Sequence, residues 1–220
     1  MSVEPDQYRY TSSRSEMLSF VPDGISRLLD VGCATGAFAE TLRAARPALE
    51  VWGIEADPVA VRLARPRMSS LVVGHFPDVS KELPGGYFDC IVFNDVLEHM
   101  VEPAQALAAA VELLAPGGRI VASIPNIRHV TVLAQLIGRG EFRYADWGIL
   151  DRTHLRFFTR RSILRMFSEG GWEVERIEGI NWTPWARFST PSQRRVCKIA
   201  RGQLDEFYDQ QYAVVARRTT

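Results

Sequence analysis

Two acidic residues and two glycines, placed where apolar runs end, carry the first chemical signal in this sequence. Asp30 ends the run "RLLD", and Gly32 and Gly36 follow it in "GCATG". Glycine lets a backbone approach a ligand closely, and the free N–H groups of a helix start point outwards. Glu55 ends the next apolar run, at about the distance where an acid binds ribose hydroxyls in nucleoside-binding folds. An acid beside the turn would repel a pyrophosphate, so these residues predict a site for a positively charged nucleoside.

The glycine spacing argues against a dinucleotide. The pattern G-x-G-x-x-G would need glycines where Ala34 and Ala37 stand. A nicotinamide-dependent enzyme is therefore disfavoured.

Two of the four histidines are candidates for proton transfer. His154, in "DRTHLRFFT", is the first candidate and His99, in "DVLEHM", is the second, because a histidine of near-neutral pKa suits removal of a hydroxyl proton. A structural hydrogen bond, for His154 to Asp151 or a backbone carbonyl, is the alternative. The four histidines are scattered and contain no short-spaced pair such as H-x-x-x-H, so the sequence predicts no metal site.

Apolar runs and helical patterns alternate along most of the chain and must position these residues. Asp57-Pro58 and Thr159 read as helix N-caps, and "APGG" at 115–118 reads as a helix stop. The alternation predicts an α/β domain with a mainly parallel sheet covered on both sides. Seven strands are predicted, at 27–32, 50–56, 70–74, 88–95, 118–126, 172–180 and 211–218.

Composition excludes several classes of function. Lys plus Arg and Asp plus Glu both total 26, so no overall field would attract nucleic acid. No apolar run is long enough for a membrane span, and the first thirty residues resemble no signal peptide. Three widely spaced cysteines, at positions 33, 90 and 197, fit neither a disulfide framework nor a metal cluster. We therefore expect a cytoplasmic protein.

Several segments together resemble the class I S-adenosylmethionine-dependent methyltransferases. "LLDVGCATG" is similar to the first motif of that family, "VWGIEAD" to its ribose-binding acid, and "FDCIVFNDVLEHM" and "LLAPGGRIVASIPN" to the strands that follow. The similarity runs over 28–126, and "FFTRRSILRMFSEGGWEVERI" resembles a later helix and strand. The resemblance implies a Rossmann-like, doubly wound, seven-stranded sheet with its last strand antiparallel. It also implies S-adenosylmethionine as methyl donor and S-adenosylhomocysteine as product.

The resemblance also implies roles for single residues. Gly32 and Gly36 would let the backbone pass the methionine moiety of the donor, and Asp30 would hold its amino end through the turn or a water. Cys33 lies within that turn, and its thiol is assigned no chemistry. Glu55 would bind the ribose, and Ala56 and Asp57 would lie beside the adenine. His75 and Phe76 occupy the place where the family often has an acid near the adenine amine, and Phe76 would stack on the adenine. Asn94 and Asp95 would lie beneath the transferred methyl.

The acceptor is predicted from weaker resemblances. The stretch from "IPNIRHV" to "TRRSI" is similar to one in bacterial methyltransferases associated with cell-surface polysaccharide synthesis, which suggests a sugar or glycan hydroxyl. A small aromatic or quinone-like acceptor is the first alternative, because "NDVLEHM" and the late helix also resemble ubiquinone-pathway enzymes. A catalytically silent partner subunit is the second. We expect one domain over 1–220, with an N-terminal cap at 1–26, an acceptor-side insertion at about 127–158, and a monomer or homodimer.

Overall fold

A computed structural model describes residues 12–182 and 205–219 of the chain. Cys197 and the first eleven residues of the predicted cap lie outside those ranges. Within them the strands are Arg27–Val31 (β1), Glu50–Glu55 (β2), Ser70–Val73 (β3), Phe88–Asn94 (β4), Leu114–Pro125 (β5), Trp172–Ile180 (β6) and Gln211–Arg218 (β7). The α-helices are Ala37–Ala45 (α1), Pro58–Ala64 (α2), Pro103–Leu113 (α3), Val130–Arg139 (α4) and Arg160–Glu169 (α5).

The seven strands form one sheet in the order β3-β2-β1-β4-β5-β7-β6. The first five strands pair in parallel, and β7 runs antiparallel to both β5 and β6. This confirms the predicted fold, including the antiparallel last strand. The strand order reverses between β1 and β4, and the carboxyl ends of these two strands border the crevice where open α/β sheets bind ligands.

Both faces of the sheet are covered by apolar side chains. In β1, Leu29 and Val31 belong to the larger core cluster, which also contains residues of α3 and α5. Leu28 belongs to the second cluster, with Leu42 of α1 and Met17 of a short 3₁₀ helix, Ser15–Phe20. Since strand side chains alternate between faces, Asp30 lies on the same face as Leu28.

Local capping signals account for the helix starts. The Asp57 carboxylate accepts hydrogen bonds from two backbone N–H groups at the start of α2, both at 2.8 Å. Thr159 and Ser162 form a reciprocal capping box at α5. Both caps were predicted. Strand β5 begins directly after α3, so it is longer than the predicted segment at 118–126.

No helix in the described ranges is long and apolar enough to cross a membrane.

Replacing Gly32 by alanine should destabilise the protein by about 1–3 kcal/mol. Gly32 has a φ of +67°, where an L side chain costs about 1–2 kcal/mol, and a Cβ there would stand 2.8 Å from a methyl group of Val96. Gly24, with a φ of +72° and nothing within 4 Å of an added Cβ, isolates the backbone cost alone. Urea unfolding should therefore show a larger loss for Gly32→Ala than for Gly24→Ala. Equal losses would contradict the contact with Val96.

Candidate active site

The glycine turn after β1 is tied to the end of β2. The N–H groups of Gly32 and Cys33 donate to the Ile54 carbonyl oxygen at 2.8 and 3.0 Å. The Glu55 carboxylate then accepts from the Ala34 N–H at 2.8 Å. Its other oxygen accepts from the N–H groups of the two residues that follow it, both at 2.8 Å. Glu55 therefore stands where the β1 and β2 loops meet.

The remaining residues of this turn shape the backbone. Ala34 has a φ of +48°, in the left-handed region that favours glycine. The Cys33 side chain is buried in the core, and its N–H and carbonyl groups both bond within the protein. Cys33 was predicted among the cofactor-binding residues, but its burial and internal hydrogen bonds leave it a structural role. Asp57 likewise uses its carboxylate as a helix cap, and the N–H groups of Ala56 and Asp57 both bond to Glu55.

Asp30 and Asn94 supply polar groups at the switch point of the sheet. Asp30 pairs with Val92, so by alternation Asp30 and Asn94 project from the same face. Asp30 is 2% exposed, and burial together with the negative charge of Glu55 raises the pKa of its carboxyl to about 8. Both amide atoms of Asn94 are buried without a hydrogen-bond partner in the described part of the chain. This pair of groups suits a ligand that brings positive charge and hydrogen-bonding groups.

Asp30 should make the stability of the ligand-free protein depend on pH. Between the ordinary pKa of 3.8 and about 8, the folded chain keeps a proton that the unfolded chain releases. The free energy of unfolding therefore falls as the pH rises through that range. Asp30→Asn removes this dependence and should gain a few kcal/mol, as an order of magnitude, at the upper end. Urea unfolding across the range should show a flatter profile for Asp30→Asn but not for the exposed control Asp23→Asn, and parallel profiles would exclude Asp30 as the cause.

The two residues predicted at the adenine differ in placement. His75 is exposed after β3. Phe76 is 5% exposed and packs edge-on against Phe93, with ring centroids 5.6 Å apart. The predicted stacking of Phe76 on adenine does not fit this placement, because the core covers its ring. Phe76 therefore supports the loop from beneath.

The Asp95 carboxylate is bound by side chains that are distant in sequence and that the sequence analysis did not predict. Arg14, which precedes the first 3₁₀ helix, forms an ion pair with Asp95 at 2.6 Å. Ser123 and Gln211 donate to the same carboxylate at 3.0 and 2.7 Å. Asp95 was predicted beneath the transferred methyl, but its carboxylate instead joins the N-terminal segment, β4, β5 and β7. Nothing in the local sequence around Arg14 signalled this contact, which spans 81 residues.

His99 and His154, which the sequence proposed separately, lie side by side. Their ring centroids are 4.7 Å apart at an interplanar angle of 75°. Glu98 joins them, because its carbonyl oxygen accepts from the N–H groups of Leu155 and Arg156 at 2.8 and 3.0 Å. The Glu98 carboxylate lies 3.9 Å from Nε2 of His154. We call Glu98, His99 and His154 the Glu-His-His cluster.

Backbone carbonyl groups fix the tautomers of both histidines. Nδ1 of His154 lies 3.0 Å from the carbonyl oxygen of Ile149, and Nδ1 of His99 lies 3.1 Å from that of Thr153. A carbonyl oxygen only accepts, so each Nδ1 donates and each Nε2 keeps its lone pair in the neutral ring. Sequence reasoning missed Glu98 as a chemical group, although its position directly before His99 was a signal.

Aromatic side chains adjoin the cluster. Phe157 lies 6.4 Å from the His154 ring and packs with Phe142 and Tyr144 at centroid distances of 5.6 and 6.2 Å. Phe142 and Tyr144 are both exposed. We call Phe142, Tyr144 and Phe157 the aromatic cluster. It offers planar faces beside a set of polar groups.

Known proteins are similar to this chain in sequence. A family model described as a methyltransferase domain matches residues 5–177. A ubiquinone biosynthesis O-methyltransferase of Xanthomonas euvesicatoria is 26% identical over 210 residues, which cover 88% of this chain and 79% of that protein.

Solved structures share the fold. A SAM dependent methyltransferase from Archaeoglobus fulgidus aligns with a TM-score of 0.72 at 17% identity, covering 97% of this chain and 98% of that one. The 1,6-didemethyltoxoflavin-N1-methyltransferase of Burkholderia thailandensis, solved with S-adenosylhomocysteine, aligns with a TM-score of 0.61 at 16% identity, covering 98% and 82%. This chain belongs to the methyltransferase-domain family and is a class I S-adenosylmethionine-dependent methyltransferase.

Proposed function

We propose that this methyltransferase methylates a hydroxyl group of a small aromatic or quinone-like acceptor. The observation that carries this proposal is the match to a relative named ubiquinone biosynthesis O-methyltransferase over 88% of this chain. The aromatic cluster supports it, because planar side chains beside the Glu-His-His cluster suit a flat, hydroxylated ring.

The other two functions suggested by the sequence have less support. A sugar or glycan hydroxyl as acceptor rests only on the resemblance of the stretch from "IPNIRHV" to "TRRSI". A catalytically silent subunit would have no need for the polar groups kept at the crevice, above all the buried Asp30 and the unpartnered amide of Asn94.

We propose that Asp30, Asn94 and Glu55 hold the donor. When bound, S-adenosylmethionine supplies a methyl group on a positively charged sulfur. Asp30 would balance positive charge at the amino end, Glu55 would accept from the ribose hydroxyls, and the Asn94 amide would satisfy its unused donor and acceptor. Methyl transfer is an in-line displacement, so the main task of the chain is to align the two reactants and exclude water.

We propose that the acceptor hydroxyl faces the Glu-His-His cluster. His154, with His99 beside it, would accept the proton of this hydroxyl, because the Nε2 atom of each neutral ring keeps its lone pair. The aromatic cluster would then hold the ring of the acceptor next to these nitrogens.

We further propose that the whole chain works as one domain in the cytoplasm. Two contacts support one domain: Arg14, within 1–26, pairs with Asp95, and His154, within 127–158, lies beside His99. Cys33 and Cys90 are buried free thiols, which suits a reducing compartment.

Acceptor profiling with labelled S-adenosylmethionine tests the proposal. Catechol, protocatechuate and a short-chain prenylated hydroquinone should become labelled, whereas methyl glucoside and a nucleotide sugar should not. Label found only in the sugars would overturn the proposed acceptor class.

A further inference from the structure

We propose that Glu98, His99 and His154 bind a divalent first-row transition-metal ion, with Zn²⁺ as the reference case, and that this ion binds the acceptor hydroxyl. One potential ligand atom from each residue lies within 4.8 Å of the other two. The role at the acceptor rests on the proposed function, whereas the metal site itself does not. No short-range sequence pattern indicates these three ligands together, because His154 lies 55 positions beyond His99.

The spacing of the three side chains is close to that of a metal site. Ligand atoms about 2.0–2.2 Å from a tetrahedral Zn²⁺ stand roughly 3.3 Å from one another. Because no two of the three ligand atoms are more than 4.8 Å apart, none of these separations must shrink by more than about 1.5 Å. His99 is half-buried whereas Glu98 and His154 are buried, so the set can be reached from the side of His99.

Glu98 provides an independent reason to expect a cation. The residue is 1% exposed, and neither carboxylate oxygen has a hydrogen-bond partner among the residues described. A buried carboxylate without donors is costly unless a cation compensates it.

The histidines are already oriented as metal ligands. A ligating histidine usually donates its second ring N–H to a carbonyl or carboxylate, which fixes the tautomer and the ring direction. Ile149 and Thr153 supply such carbonyl oxygens at 3.0 and 3.1 Å. With Nδ1 donating, the lone pair of each neutral ring lies on Nε2, which is the atom that would bind the ion.

The type of ligand decides the class of ion. Two imidazole nitrogens and one carboxylate suit Zn²⁺, Fe²⁺, Co²⁺ or Mn²⁺, whereas Mg²⁺ and Ca²⁺ prefer oxygen ligands alone. Three protein ligands also leave coordination positions open, as catalytic metal sites do. An acceptor oxygen could occupy one of them.

The ion would make the acceptor a better nucleophile. Binding of the hydroxyl oxygen to a divalent ion lowers the pKa of the hydroxyl, and the proton leaves to solvent water. The resulting oxygen anion forms the new O–CH₃ bond as the S–CH₃ bond breaks. The electron pair of that bond returns to sulfur, and the donor becomes the neutral thioether.

Calorimetric titration of the chelator-treated full chain with Zn²⁺ tests the site without any acceptor. One ion should bind per chain. Glu98→Gln and His99→Ala should each weaken binding by at least about 10-fold. His75→Ala, which removes an exposed histidine away from the cluster, should leave the affinity unchanged. Absence of stoichiometric binding, or equal affinity in wild type and both cluster variants, would overturn the proposal.

Donor binding serves as a control for folding, and Co²⁺ serves as a second metal probe. Glu98→Gln and His99→Ala should each retain the wild-type affinity for S-adenosylmethionine, which shows that the crevice is intact. Co²⁺ should give the wild-type protein a visible ligand-field spectrum that Zn²⁺ abolishes. A spectrum that survives in His99→Ala would overturn the assignment of His99.

The two proposals fail in distinguishable ways. Zn²⁺ binding at the cluster with no methylation of any aromatic acceptor would contradict the proposed function and leave the metal site standing. Undiminished aromatic methylation by a protein shown to be metal-free would overturn the metal's role and leave the acceptor class standing.

Discussion

Replacing His154 by alanine is expected to lower turnover about 100-fold or more while leaving the affinity for S-adenosylmethionine within about twofold. His154 is buried between Glu98 and the aromatic cluster, and its Nε2 lies 3.9 Å from the Glu98 carboxylate. Its loss removes a group from the acceptor side of the crevice, whether that group acts on the hydroxyl directly or through an ion. The donor side, which contains Asp30 and Glu55, is unchanged.

Initial rates with a saturating aromatic acceptor, together with donor titrations, separate these two effects. His129→Asn is a matched control, because it removes an imidazole that caps α4 and supplies a side chain that also caps helices well. The control should keep near-normal turnover. Near-normal turnover in His154→Ala would remove His154 from the chemistry.

Replacing Glu55 by alanine is expected to weaken the binding of S-adenosylmethionine by about 1–3 kcal/mol, or roughly 5- to 150-fold. The substitution removes the carboxylate that we propose binds the ribose. It also removes the acceptor for the backbone N–H groups of Ala34, Ala56 and Asp57, so the loop is less well prepared for the ligand.

Glu40→Ala controls for the change in charge. Glu40 lies in the first turn of α1, is largely exposed, and pairs with Arg67 at 3.0 Å. Its removal should leave the dissociation constant unchanged. A Glu55→Ala protein that is still folded by circular dichroism and binds the donor as tightly as wild type would contradict the assignment of Glu55.

Local patterns predicted most of the fold. Strand positions followed from apolar runs, and the caps at Asp57 and Thr159 followed from residue chemistry. The proposal that Glu55 holds the donor also starts from short-range features, a strand end and a glycine turn. Ala34 takes a left-handed conformation within this turn.

The acceptor side depends on contacts that no local pattern encodes. Glu98 and His99 meet His154 only because backbone N–H groups after His154 bind the Glu98 carbonyl oxygen. Arg14 reaches Asp95 from the other end of the chain. Phe76 turns into the core against Phe93, although its sequence position alone was compatible with a ligand contact.

Titration calorimetry of the intact protein with S-adenosylmethionine tests the central claim most directly. The crevice formed by Asp30, the glycine turn and Glu55 should bind one donor molecule per chain, with a dissociation constant in the micromolar range, about −8 kcal/mol. S-adenosylhomocysteine should compete for the same site. Absence of heat at millimolar donor, with the protein folded, would contradict the assignment of this crevice as the donor site.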